Sequence, residues 1–164
     1  MLDEVAGAVN RGRIGVKTGP ATLETGAFVS GDETLPTFEH VFQRLNDYDL
    51  SHLLLMGQMA DLSGTPIADL SGDGMFRHFR PIFRGPIIAN VNMDAERGNR
   101  LIEAGLADLV AFGRPYIANP DLVERFATGA PLAQVDWDTV YGAGPRGYSD
   151  YPTLQPVVGS RRAN

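Results

Sequence analysis

The chain has 164 residues, 43% apolar and 21% charged, enough for one ordinary hydrophobic core. Its formal charge of -6 argues against a nucleic-acid partner held by phosphate contacts, and the lack of cysteine excludes disulfides, thiolate nucleophiles and cysteine-ligated metals. No apolar run approaches the roughly 20 residues of a membrane-spanning helix. The start, Met1-Leu2-Asp3-Glu4, lacks the basic and apolar regions of a secretion signal, so a cytoplasmic location is the expectation.

Leu2, Val5, Ala6 and Val9 have helical spacing, so residues 2–10 read as a short helix with no start signal. Arg13 to Thr18 reads as a strand ended by Gly19-Pro20. Alternation puts Ile14, Val16 and Thr18 on one face, and Gly15 and Lys17 on the other. Residues 19–36 read as a loop whose length suggests service to a site. Thr37 is expected to cap a helix through about Tyr48, with Phe38, Val41, Phe42 and Leu45 as its apolar face.

Ser51 to Met56 is a strand too apolar for one wet face, as in a parallel sheet covered by helices. A second long loop, 57–73, precedes a short helix from Phe76 to Phe83. Ile87 to Val91 reads as the third strand. Asp94 then caps a helix to about Ala104, with Leu101 and Ile102 facing inward and Gly105 as its terminating glycine.

Leu109 to Phe112 is the fourth strand, and it delivers Gly113 and Arg114 to its C-terminal end. Asn119-Pro120 reads as the start of a helix to residue 128, Asn as cap and Pro in the first turn. Strands alternating with helices at this spacing imply parallel pairing with right-handed crossovers. The long loops and the Gly-Arg turn then share one rim, where ligands of α/β proteins bind and where bare N–H groups beside a cation favour an anion. Trp137, Tyr141, Tyr148 and Tyr151 suggest that the segment after the last helix packs; residues 155–164 read as a disordered tail.

Other motifs carry less. Gly142-Ala143-Gly144-Pro145-Arg146-Gly147 matches a dinucleotide fingerprint, but it follows no strand and contains a proline, so it reads as a turn. His40, His52 and His78 lack metal-ligand spacing, and no metal is expected. Asn90 and Asn92 end a buried strand, where amides orient ligands or cap loops.

Several stretches carry a resemblance. They are Ile14-Gly15-Val16-Lys17-Thr18-Gly19-Pro20, the span 85–103, the run from Leu101 to Pro115 (Leu-Ile-Glu-Ala-Gly-Leu-Ala-Asp-Leu-Val-Ala-Phe-Gly-Arg-Pro), and Tyr141 to Leu154. Together they resemble the old yellow enzyme family, FMN-dependent ene-reductases on a (β/α)8 barrel. The resemblance covers nearly the whole chain but only the family's C-terminal half, strands five to eight. It implies that residues 1–154 form a half-barrel with a packed tail, lacking the strands that carry the substrate-gripping residues.

By that resemblance Gly113 and Arg114 match the phosphate clamp of FMN, and Asn92 matches a rim position near the same phosphate. Val91 stands where relatives have Gly or another small residue. Lys17 stands where the family has an arginine at the flavin edge; it keeps the charge but loses the fork. Tyr148 matches a tyrosine lining the substrate pocket. The resemblance implies NAD(P)H as reductant. The implied partner is a chain supplying the N-terminal half-barrel, or a second copy of this one, because open edges and an uncovered apolar face favour association. A half-barrel that has lost flavin and only binds or assembles, or a truncated fragment, is the alternative.

Overall fold

The computed structural model describes residues 2–9, 11–21, 30–59, 61–142 and 144–154. The expected disordered tail, 155–164, lies outside them, as do residues 22–29 of the first long loop. The chain gathers into two compact units, Met1–Phe112 and Gly113–Asn164.

The first unit is α/β. Its elements are α1 (Leu2–Ala8), β1 (Gly15–Thr18), α2 (Thr34–Leu45), β2 (His52–Met56), α3 (Gly74–Phe79), β3 (Ile87–Asn90), α4 (Ala95–Glu103) and β4 (Leu109–Val110). The four strands form one sheet in sequence order, β1-β2-β3-β4, every pair parallel. The expected parallel alternation is therefore present. The register aligns Val16 with Leu53, Leu53 with Ile87, and Ala89 with Val110.

That register sorts the side chains. Leu53, Leu55, Ile87 and Ala89 point to one face and are fully buried. They meet Phe42 and Leu45 of α2, Met75, Phe76 and Phe79 of α3, and Leu101 of α4 in one core cluster. Phe42 and Phe79 stack with centroids 4.5 Å apart at 60°. The loop after β2 is no slack connector: Leu62, Ile67 and Leu70 are buried, and Ala68–Leu70 forms a 3-10 turn. Half-open apolar side chains would leave this loop mobile; buried ones fix it against the core.

Several boundaries differ from the sequence expectation. α2 begins at Thr34, not after Thr37; the Thr34 hydroxyl accepts a hydrogen bond from Gly31 N–H at 2.9 Å, and Pro36 is tolerated in the first turn. Val41 and Ile102, expected inside, are 38% and 45% exposed. α3 runs Gly74–Phe79 rather than from Phe76 to Phe83. Asp94 does cap α4, accepting from Arg97 N–H at 2.7 Å, and Gly105 follows it at φ 66.

The second unit holds α5 (Arg114–Ala118), α6 (Leu122–Thr128) and the segment after them. The expected helix start at Asn119 is not where one begins. Asn119 is 1% exposed, its amide donates to the carbonyls of Pro115 and Ala133, and its Oδ1 accepts from Ala133 N–H. It is a buried joint between α5 and residue 133. Among the described residues no helix is long and apolar enough to cross a membrane.

Candidate functional site

Strand alternation sends a second set of side chains to the other face of the sheet. Lys17, Leu54, Ile88 and Leu109 are in register across all four strands. Leu54 and Ile88 are half-buried, Lys17 is exposed and Leu109 is 55% exposed. Lys17 thus presents its ammonium at the edge of an apolar row, near the C-terminal end of β1. At the opposite end, a Cβ on Gly15 would overlap the His52 ring, so glycine makes room for that imidazole. His52 Nδ1 lies 2.9 Å from the Ser51 hydroxyl and His78 pairs with Glu39 at 2.8 Å, so both histidines have protein partners.

At the C-terminal rim, β3 does not extend to Val91. Asn90 donates its amide to Ala111 O at 3.0 Å, and the chain then turns through two consecutive left-handed residues, Val91 at φ 77 and Asn92 at φ 51. Asparagine tolerates that conformation; a β-branched valine does so only under strain. The turn lies beside the loop after β2. Asn92 Nδ2 is 3.4 Å from Gln58 O, and Gln58 Oε1 accepts from Gly72 N–H at 3.0 Å. Gln58, Met59, Asp61, Gly72, Asn92 and Arg97 line a cavity of about 300 Å³ here. The Asp61 carboxyl is held below the usual range by hydrogen bonds from Ser63.

The valine strain gives a measurable expectation. A side chain in this backbone region costs about 1–2 kcal/mol. Glycine there gives back about 0.5–1 kcal/mol in chain entropy. Val91→Gly is therefore expected to raise stability by up to about 1 kcal/mol, or about 3 °C in thermal midpoint. Calorimetry of the two proteins checks it, and a lower midpoint for the glycine variant contradicts it.

In the second unit Gly113 caps α5, with Arg114 and Pro115 in its first turn. A Cβ on Gly113 would meet nothing within 4 Å, and Arg114 is exposed. Tyr148 is 74% exposed, and Trp137 and Tyr141 are 54% and 92% exposed. Of the four aromatics that suggested a packed segment, these three are exposed, while the Tyr151 hydroxyl accepts from Asp136 N–H at 2.9 Å.

The segment is instead held by a buried ion pair that the sequence reading missed. Arg125 Nε donates to Asp121 Oδ1 at 2.7 Å, both side chains 8% exposed. Arg125 also donates to the carbonyls of Pro131 and Pro152, and Asp121 Oδ2 accepts from Leu154 N–H at 2.6 Å. The Arg125 guanidinium, then the Leu154 N–H, hold the Asp121 carboxyl below its usual range. The i,i+4 spacing of Asp121 and Arg125 was the available signal. Of the fingerprint-like stretch, the described residues 142 and 144–147 lie in bends and turns, with Gly147 N–H donating to Asp150 at 2.7 Å.

No family model matches the chain. Curated relatives do. A putative 12-oxophytodienoate reductase 3 of Oryza sativa subsp. japonica is 35% identical over 94% of this chain and 40% of its own length. Putative reductase 4 of the same plant is 51% identical over 77 residues, 46% of this chain and 20% of that protein. Among solved structures, morphinone reductase superposes at TM-score 0.79 with 34% identity, covering 94% of this chain and 39% of that one. The old yellow enzyme from Trypanosoma cruzi superposes at TM-score 0.79 with 31% identity, covering 92% and 38%. The chain spans about 40% of the length of the curated reductase it matches along 94% of its own.

Proposed function

We propose, from the premise that this chain belongs to the old yellow enzyme family and spans about 40% of its relatives' length, that it is one part of a flavin-dependent oxidoreductase barrel. In this reading it contributes strands five to eight, the cofactor-phosphate rim and part of a substrate wall. The observation that carries it is the asymmetry of the sheet. One face is covered by helices, while among the described residues the row Lys17-Leu54-Ile88-Leu109 on the other is half-buried to exposed, with β1 and β4 as edge strands. An apolar face and edges of this kind are stabilised by further strands. We assign their source to a chain carrying the remaining strands of the relatives; a second copy of this chain is the other candidate.

The residues present fit a phosphorylated flavin. The backbone at Val91 already has the conformation a glycine would adopt, and Arg114 holds an exposed guanidinium in the first turn of α5. When bound, FMN supplies hydride transfer from NAD(P)H to an activated alkene. Gly113 and Arg114 would hold the phosphate, the guanidinium by charge-assisted hydrogen bonds. By the family resemblance Asn92 matches a position near that phosphate. Lys17 places a positive charge that favours an anionic flavin ring, without the two-pronged grip of an arginine. Tyr148 forms part of the substrate wall.

Val91 favours a second reading, a barrel part that binds and assembles without flavin, because a branched side chain stands where the phosphate needs close backbone approach. One experiment separates the two. The chain is purified alone and after mixing with candidate N-terminal halves, then inspected for flavin absorbance. Bound flavin in any combination supports the enzyme reading, and none in all of them removes it. In a flavin-binding assembly, Arg114→Ala is expected to weaken FMN retention by about 1.5–3 kcal/mol, the worth of hydrogen bonds to a charged group. Unchanged retention by equilibrium dialysis would count against the clamp.

A further inference from the structure

We propose that Arg97 is a positioning residue that shapes the phosphate rim by pinning the left-handed turn after β3 to the loop after β2. The inference rests on the functional reading above for its consequence, but not for its geometry. Arg97 begins as a helix residue: its N–H satisfies the Asp94 cap of α4. Its side chain then runs back over the rim and is 17% exposed.

The guanidinium joins two loops. On one side Nε donates to Asp73 Oδ1 at 2.9 Å and Nη2 donates to Gly72 O at 2.9 Å. On the other, Nη1 faces the carbonyls of Val91 at 3.5 Å and Asn92 at 3.2 Å, the two left-handed residues. Such a pair turns its carbonyls out of the sheet ladder, and the carbonyl of half-buried Val91 needs a donor, while that of exposed Asn92 is also open to water. A planar fork with five donors serves four acceptors at once; a lysine ammonium has the charge but not the fork. The strained Val91 conformation also has to be over-determined by its surroundings to persist, and Arg97 is the side chain that grips it from outside.

The sequence explains why this residue escaped notice. Arg97 sits in the first turn of a helix, where a cation opposes the helix dipole and a solvated arginine is the ordinary expectation. Its position is instead explained by Asp73, 24 residues earlier, and by the turn it clasps.

The test compares wild type with Arg97→Lys, Val91→Gly and the double variant, each as the full chain in the assembly in which it purifies. Amide hydrogen exchange is read at the Val91–Met93 turn and, as a control, at Leu53 and Leu55 in the core. Arg97→Lys is expected to speed exchange at the turn about tenfold, with core exchange and thermal midpoint nearly unchanged, because charge-assisted hydrogen bonds are lost locally. In the Val91→Gly chain the same Arg97→Lys change is expected to speed turn exchange far less, since glycine holds the turn without strain. In any assembly that takes up FMN, Arg97→Lys is expected to weaken FMN binding about tenfold and the double variant to recover it.

Unchanged turn exchange in Arg97→Lys overturns the proposal. So does an Arg97→Lys effect on turn exchange that is as large in the Val91→Gly chain as in wild type. If no assembly takes up FMN, the flavin reading falls, while the exchange experiment still decides the clasp. Arg97→Ala is the second variant; a loss of core protection equal to the loss at the turn would assign Arg97 a general folding role and reject the positioning one.

Discussion

Replacing Arg125 with methionine is expected to lower the denaturation midpoint and release the segment after α6, because it takes the cation from a carboxylate whose side chain is 8% exposed. Methionine keeps much of the aliphatic stem, so the loss is electrostatic and hydrogen-bonding rather than a cavity. Three acceptors lose their donor together: Asp121, Pro131 O and Pro152 O. Asp121 retains only Leu154 N–H from the set that holds the segment after α6. That segment carries the chain's single tryptophan, Trp137, so its release is visible as a change in tryptophan fluorescence and as protease cleavage between residues 130 and 154. A denaturation midpoint within error of wild type, with an intact segment, would show that the ion pair contributes nothing.

The same pair fixes an acid limit. The Asp121 carboxyl lies below its ordinary value because Arg125 and Leu154 N–H stabilise the charged form. A depressed folded-state pKa means the unfolded chain binds the proton more readily. The contribution is therefore fully present above the ordinary carboxylate value of 3.8 and is lost as pH falls through the lower folded value. Acid titration of wild type is expected to release the segment only below that ordinary value. In Arg125→Met the dependence moves upward in pH, since burial without a cation favours the neutral carboxyl.

What the sequence revealed depended on the range of the interaction. The four strands were legible because apolar runs such as Leu53 to Met56 need only near neighbours to be recognised, and their parallel order follows from the helices between them. The Asp94 cap and the Gly105 stop were legible for the same reason. Asn119 was misread because Asn followed by Pro satisfies a local rule, while its real partners are at residue 133. The tail aromatics were misread because composition says what could be buried, not whether anything is there to bury it. Trp137, Tyr141 and Tyr148 stay exposed, and two groups on α6 hold the backbone instead.

The candidate site divides in the same way. Val91 was marked by its departure from a small residue in relatives, and the backbone there has the left-handed turn such a residue would explain. Arg97, which reaches Asp73 and both carbonyls of that turn, gives no local sign of its role. Interactions that cross 24 residues leave no periodicity to read.

The largest effect is expected where the open face meets its complement. Leu109→Glu is expected to leave the isolated chain folded, since Leu109 is 55% exposed and the new carboxylate stays in water. The proposed barrel would enclose that position beside Ile88, its register partner. An unpaired carboxylate buried there costs at least about 4 kcal/mol, or about a thousandfold in association. Lys17 does not rescue it, because β2 and β3 separate the two strands. Titration of labelled wild-type and variant chains with an N-terminal half, or sedimentation of each alone for self-association, gives the comparison. Leu109→Met is the control; it keeps an apolar side chain of similar volume and should associate as wild type does. If the glutamate variant associates as tightly as wild type, β4 is not part of the closing surface. A 17.7 kDa wild-type species that sediments as a single monomer with every half tested, and unfolds cooperatively, would show that the four-stranded sheet is stable without further strands.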